Sequence, residues 1–201
     1  MALLILTGPL AVAGAPQESS QKSPPTQHSM GSRKHYVGLP GFAEVSPELF
    51  RGGQPGVDGL EALKKMGVTI IVDMRGSRSK HEEAAVRKLG MRYVSIPWHC
   101  PFPNDEAFAR FLRLIQENRG RKIFVHCRLG DDRTGLAVAV YRMAVEGWSA
   151  EEAMSEMKEF GFTKPHHLIC PTLAHYEKEF PERFEKNAAF DGLRGRHEPA
   201  K

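Results

Sequence analysis

Two short runs constrain the fold more than anything else in this chain: residues 68–74 (VTIIVDM) and 122–126 (KIFVH). Both are dominated by β-branched or aromatic residues and lack the strict polar alternation of a strand with one wet face. They read as strands buried on both sides. Such strands need cover on each face, and segments with helical spacing supply it. Leu60, Leu63 and Met66 fall on one face of residues 57–66, a stretch that Gly67 ends. Residues 81–89, closed by Gly90, form a second helix, and residues 93–96 a strand stopped by Pro97. Phe108, Phe111, Leu112 and Ile115 share a face of residues 105–118. Further helices are expected over 134–146, which is rich in Ala and Val, and over 150–160 and 172–180. Strands alternating with helices predict an α/β fold: a central, mainly parallel sheet flanked by helices on both faces. Ligand sites in such sheets lie beyond the carboxyl ends of the strands.

With 201 residues there is room for one domain, placed here at residues 36–185. Residues 16–35 are rich in Ser, Gln, Pro and Lys and read as a disordered linker, and residues 186–201 as a flexible tail. Residues 1–15 contain an apolar stretch with an Ala11-Val12-Ala13 cleavage pattern, but no Lys or Arg precedes it. The expectation is a weak signal peptide and export; an untargeted leader on a cytoplasmic protein is the alternative. The stretch is too short for a stable membrane span. The formal net charge is only +4, without a run of Lys and Arg, which argues against a nucleic-acid partner. Three cysteines, Cys100, Cys127 and Cys170, are too few for a disulfide framework, and an odd count leaves at least one thiol unpaired.

Directly after KIFVH begins HCRLGDDRTG, residues 126–135, which opens a helix. A loop between a strand end and a helix start converges backbone N–H groups, and the helix dipole adds positive potential, so this is an anion cradle. Gly130 permits the tight turn. Cys127 sits at the base, where the same groups favour a thiolate and lower a thiol from about 8.5 towards about 3.5–7.5. Arg133, six positions on, can grip two phosphate oxygens with its planar fork. Thr134 can offer its hydroxyl to the sulfur, and His126 can orient the loop. The bland alternative is that Cys127 is a small buried hydrophobe. Two functional alternatives also stand beside a phosphatase: a sulfurtransferase, which needs no Arg-Thr pair, and a phosphate-binding module without turnover.

HCRLGDDRTG resembles the signature loop of the dual-specificity and tyrosine phosphatase superfamily. FRGGQP (residues 50–55) and VDMRG (residues 72–76) are similar to early segments of its compact bacterial-type members. The resemblance implies hydrolysis of phosphate monoesters through a cysteinyl-phosphate, with no metal or other cofactor. The implied substrates are phosphoproteins, on tyrosine, serine or threonine, or phosphoinositides and inositol phosphates. Carried over by position, Cys127 is the nucleophile and Arg133 binds phosphate. His126, Arg128, Leu129, Gly130, Asp131, Asp132 and Arg133 line the cradle, and Thr134 assists breakdown of the intermediate.

The family's general acid comes from a loop that here reads PWHCPFPNDEAF, residues 97–108. His99 and Cys100 lie nearest the sheet, and the one Asp, Asp105, also suits the start of the next helix. The other candidate acid is Asp132, since an Asp directly before the signature Arg is similar to the arrangement of myotubularin-like phosphatases. A bound phosphate dianion beside it would favour its protonated form. Asp132 is preferred, and Asp131 is expected to face solvent. Arg128 either contacts further anionic groups at the mouth or is simply exposed. Trp98 is a pocket wall or a core aromatic. Lys164 adds potential at the mouth or is solvated, and His166, His167 and Cys170 are read as a rim rather than a metal site. A protective Cys100–Cys127 disulfide is conceivable.

Overall fold

The computed structural model describes residues 28–163, 165 and 170–194. The expected signal peptide, Lys164, His166 and His167 all lie outside the described residues. In chain order the elements are β1 (Ser32–Arg33), β2 (Ala43–Glu44), β3 (Leu49–Gly52), α1 (Val57–Lys65), β4 (Val68–Asp73), α2 (Lys80–Lys88) and β5 (Arg92–Ser95). They continue with α3 (Asp105–Glu117), β6 (Lys122–His126), α4 (Asp132–Glu146), α5 (Ala150–Glu159), α6 (Leu173–Lys186) and a 3-10 turn, Ala188–Phe190. The sheet order is β1-β2-β3-β6-β4-β5. The strands β3, β6, β4 and β5 are parallel, and β1 and β2 add an antiparallel edge.

The two apolar runs occupy the middle of this sheet because each presents apolar side chains to both faces. Ile123 and Val125 of β6 join one core with α3, α4, α5 and α6, while Phe124 joins the other with α1 and α2. In β4 the register slips between Val68 and Ile70. This bulge changes the parity of the strand, so that Val68 and Ile71 share the α1/α2 face and Ile70 and Val72 point to the opposite one. Thr69, the extra residue, is left exposed. The expected α/β architecture, a mainly parallel sheet with helices on both faces, is what the chain adopts.

Several boundaries differ from expectation. Ordered structure begins before residue 36: the ring of His28 stacks on Trp148 at 5.2 Å, and Gly31 N donates to Glu156 Oε1 at 2.7 Å. The same Glu156 receives Arg142 Nε at 3.0 Å and Nη2 at 2.7 Å, a buried pair that joins α4 to α5. The helix expected to end at residue 180 runs through Pro181 to Lys186. Beyond it the expected tail is packed as far as described: Phe190 is fully buried against Phe180 and Phe184. Apolar contact overrides a polar composition here. β3 was read only as part of a motif; it becomes a strand by pairing with β6, Leu49 opposite Ile123 and Gly52 opposite His126.

One buried acid makes stability depend on pH. Glu177 of α6 is 2% exposed and its Oε1 has no partner among the described residues. Burial pushes its carboxyl up to about 8, Glu151 adds repulsion and Lys158 opposes it. Since the unfolded chain releases this proton near its ordinary value of 4.5, the folded state holds the proton more tightly and loses stability as pH rises towards about 8. Glu177→Gln should therefore be at least about 2 kcal/mol more stable than the wild type at pH ~9 and close to it at pH ~5, measured by urea unfolding. A constant difference at both pH values contradicts this account.

Candidate active site

The loop between β6 and α4, residues 127–131, lies at the carboxyl end of the parallel sheet. Gly130 has φ +96°, a backbone that favours glycine, and its N–H donates to Cys127 Sγ at 3.3 Å. The loop carbonyls are tied outward. His126 Nδ1 meets the Cys127 carbonyl at 2.9 Å, Gln54 N donates to the Arg128 carbonyl at 3.1 Å, and Arg51 Nη2 donates to the Gly130 carbonyl at 2.9 Å. A trans peptide places its N–H opposite its C=O, so each outward carbonyl turns the following amide towards the cradle. Interlocking glycines allow this close approach. A Cβ at Gly130 would stand 2.5 Å from Gly53 N, and one at Gly53 would stand 2.7 Å from the Leu129 carbonyl oxygen. The FRGG motif thus forms the floor against which the loop is pressed.

Cys127 is 2% exposed and is the free cysteine of the three. α4 begins at Asp132, two residues earlier than the sequence pattern suggested, because Asp131 caps it and accepts from Asp132 N at 3.0 Å. Asp131 is therefore not merely solvated. Arg133 is the second residue of α4 and half-buried, on the turn that carries the helix N-terminal potential. The Thr134 hydroxyl donates to the Gly52 carbonyl at 3.3 Å. That bond ties α4 to β3. Arg128 and Leu129 are exposed. Trp98 is a core residue, 2% exposed and edge-on to Phe108 at 5.2 Å.

The two candidate acids have different surroundings. Asp105 is not the cap of α3; Asn104 is, accepting from Ala107 N at 2.9 Å. Asp105 accepts from Tyr176 Oη at 2.6 Å, from Asn187 Nδ2 at 2.6 Å and from Arg183 Nη1 at 3.5 Å. These bonds tie the start of α3 to α6 and to Asn187 beyond it. Asp132, at the first turn of α4, has Oδ2 3.7 Å from Cys170 Sγ. That sulfur is bridged to Cys100, across 70 residues, so it has no proton and the approach is a packing contact. The disulfide replaces the conceivable Cys100–Cys127 pair. Among the described residues, Cys100, Asp132 and Cys170 are the one grouping with metal-ligand proximity, and the bridge withdraws both sulfurs from that role.

Sequence reading missed a buried polar layer behind the loop. Asp73, at the end of β4, accepts from Arg75 Nε at 2.8 Å, Arg75 Nη2 at 2.7 Å and Tyr93 Oη at 2.5 Å. Burial pushes the Asp73 carboxyl up, but the bonds from Arg75 and the nearby His126 outweigh it and hold the group below the usual range. Arg75 also binds Glu82, whose Oε1 lies 2.8 Å from His126 Nε2, off the line of a hydrogen bond. The layer orients His126, which in turn holds the Cys127 carbonyl. Its signal was the charge in VDMRG, Asp73 and Arg75, at the end of a buried strand.

The comparisons with known proteins agree with this geometry. The family model described as a DSP-PTPase phosphatase fused to NAD+ kinase matches residues 42–168. The dual specificity protein phosphatase TpbA of Pseudomonas aeruginosa is 31% identical over 119 residues, which is 59% of this chain and 53% of TpbA. The chain thus spans about half the length of that curated relative. The crystal structure of P. aeruginosa TpbA in complex with pTyr superposes with a TM-score of 0.64 at 25% identity, covering 82% of this chain and 93% of that one. The core catalytic domain of the PP-IP phosphatase SIW14 from Saccharomyces cerevisiae shares the fold, with a TM-score of 0.61 at 17% identity over 77% of this chain and 97% of that one. Together the family match across most of the sheet and the cysteine cradle at its carboxyl edge place this chain in the DSP-PTPase phosphatase family.

Proposed function

We propose that this protein hydrolyses phosphate monoesters through a cysteinyl-phosphate. In the first step the Cys127 thiolate attacks phosphorus, the P–O bond to the substrate alcohol breaks, and the leaving oxygen takes a proton from Asp132. In the second, water gives a proton back to the Asp132 carboxylate and attacks the same phosphorus, the S–P bond breaks, and inorganic phosphate and the thiolate are released. The loop amides and the Arg133 fork meet the equatorial oxygens, where negative charge gathers. The observation that carries this reading is the sulfur itself, which accepts an N–H from Gly130 while the carbonyls of Cys127, Arg128 and Gly130 are bound on the outer side of the loop. Such an array serves an anion and a thiolate alike.

The substrate class we infer is a phosphorylated protein, with phosphotyrosine favoured because TpbA was crystallised with pTyr. Inositol phosphates are the second class, supported by the exposed Arg128 beside the loop. Export is proposed from the apolar run at residues 3–15. Among the described residues no helix is long and apolar enough to cross a membrane.

The test is phosphate release from phosphotyrosine and phosphoserine peptides and from inositol phosphates. Asp132→Asn should slow an unactivated ester by about 10²–10⁴-fold, the usual contribution of a general acid. Asp105→Asn should instead lower thermal stability, because it weakens the ties to Tyr176, Arg183 and Asn187. Equal rates for Asp132→Asn and the wild type remove Asp132 from the mechanism, and thiosulfate-dependent activity without phosphate release removes the phosphatase reading.

A further inference from the structure

Beneath the cysteine loop lies a cation that the reaction above does not use. Arg51, in the middle of β3, is fully buried, yet only one arm of its guanidinium is bonded: Nη2 donates to the Gly130 carbonyl at 2.9 Å. Its Nε and Nη1 have no hydrogen-bond partner among the described residues. The Phe160 ring covers the group, with Arg51 Cζ 4.1 Å from the ring centre. Arg33 stacks on the same ring at 4.5 Å. A buried guanidinium without a counter-charge is strongly unfavourable, so its surroundings should contain one.

The carboxylate that acts on Arg51, Glu156 of α5, is already committed to Arg142 of α4 and to Gly31 N. Arg33 and Arg142 are cations and add repulsion. Burial pulls the Arg51 guanidinium down to about 10; Glu156 and then Cys127 act in the opposite direction. The charged and titratable residues next to Cys127 in the chain are His126 of β6, Arg128 in the loop, Asp131 at the cap of α4, and Asp132 and Arg133 in its first turn. Glu156 is thus shared with another arginine, and the other group that acts on the Arg51 charge is Cys127, whose sulfur accepts the N–H of the same Gly130 that Arg51 holds by its carbonyl.

We propose that Arg51 is a positioning residue for the nucleophile: its guanidinium holds the Gly130 carbonyl below the loop and serves as the buried counter-charge of the Cys127 thiolate. The carbonyl bond acts through geometry. With Gly130 O drawn down to Arg51, the trans peptide turns the Asp131 amide up into the cradle. Holding residue 130 in its positive-φ conformation also aims the Gly130 N–H at Sγ. The cation acts through Coulomb attraction inside a low-dielectric core. The residue thus works on the sulfur from the side opposite to the one a substrate approaches.

This inference rests on reading Cys127 as a thiolate nucleophile, and its test does not need turnover. Iodoacetamide alkylation of the full chain at one slightly acidic pH reports Cys127, since Cys100 and Cys170 are bridged. Arg51→Met, which fills similar space without charge, should alkylate about tenfold more slowly than the wild type, as should Arg51→Gln, which keeps a donor for the carbonyl. Arg51→Lys, retaining charge and a donor, should stay within about threefold of the wild type. The far-ultraviolet absorbance of the thiolate should fall in the Met and Gln proteins and persist in the Lys protein. Should the Met protein not fold, the Gln protein carries the test. Wild-type alkylation rates in a folded uncharged variant overturn the proposal, as does a Lys protein as slow as the uncharged ones. A wild-type protein that alkylates rapidly but releases no phosphate would overturn the phosphatase reading and leave the role of Arg51 intact.

Discussion

Cys127→Ser is expected to reduce hydrolysis of p-nitrophenyl phosphate by at least about 10⁴-fold, on the scale seen when a covalent nucleophile is removed. The substitution changes one atom, and the site gives a serine no help. A hydroxyl ionises far above neutral pH, and the amides that suit a thiolate cannot supply a base to deprotonate it. Nearby groups have other roles: His126 holds the Cys127 carbonyl and faces Glu82, Asp131 caps α4, and Asp132 is the proton donor of the proposed first step. Apart from the Gly130 N–H on the sulfur, the close glycine packing and the outward carbonyl bonds of the loop do not depend on it, so the fold should persist. The serine protein should therefore remain folded by circular dichroism and still bind a phosphotyrosine peptide, measured by calorimetry. Retention of more than about 1% of wild-type turnover would show that another nucleophile operates. Binding by the wild type without any turnover would make the cradle a phosphate-recognition module.

Cys100→Ser/Cys170→Ser is expected to lower stability by about 4 kcal/mol in the chain-entropy account of a loop closed across 70 residues. For a chain of this size that corresponds to a fall in Tm of roughly 8–16 °C. The bridge joins the segment before α3 to the segment before α6. Other ties hold the same two segments together: Thr172 Oγ1 donates to the Pro101 carbonyl at 2.8 Å, and Tyr176 Oη to Asp105 at 2.6 Å. Because those bonds survive, the native geometry beside Asp132 should survive as well. The loss should appear in the unfolding midpoint rather than in the turnover number. A dithiol reductant, often added to keep a catalytic thiol reduced, should lower the urea midpoint of the wild type and leave that of the double serine variant unchanged. Equal midpoints for the wild type with and without reductant would show that the bridge contributes nothing to folding.

The sequence by itself determined the features whose causes lie within a few residues of each other. The runs 68–74 and 122–126 are legible as buried strands because each alone offers apolar groups to two faces. The cysteine cradle is legible because a strand end, a glycine turn, a thiol, an arginine and a helix start all fall within ten residues, 126–135. Only the tertiary structure decided what depends on partners distant in the chain. Leu49–Gly52 carries no strand pattern and becomes one by lying against β6. The Cys100–Cys170 bridge and the Asp105 ties span about 70 to 80 residues, and loop closure over such distances leaves no local trace. Arg51 is the sharpest case. In the sequence it is one more surface-type cation, and only the closing of β3 against the loop buries its charge on the Gly130 carbonyl.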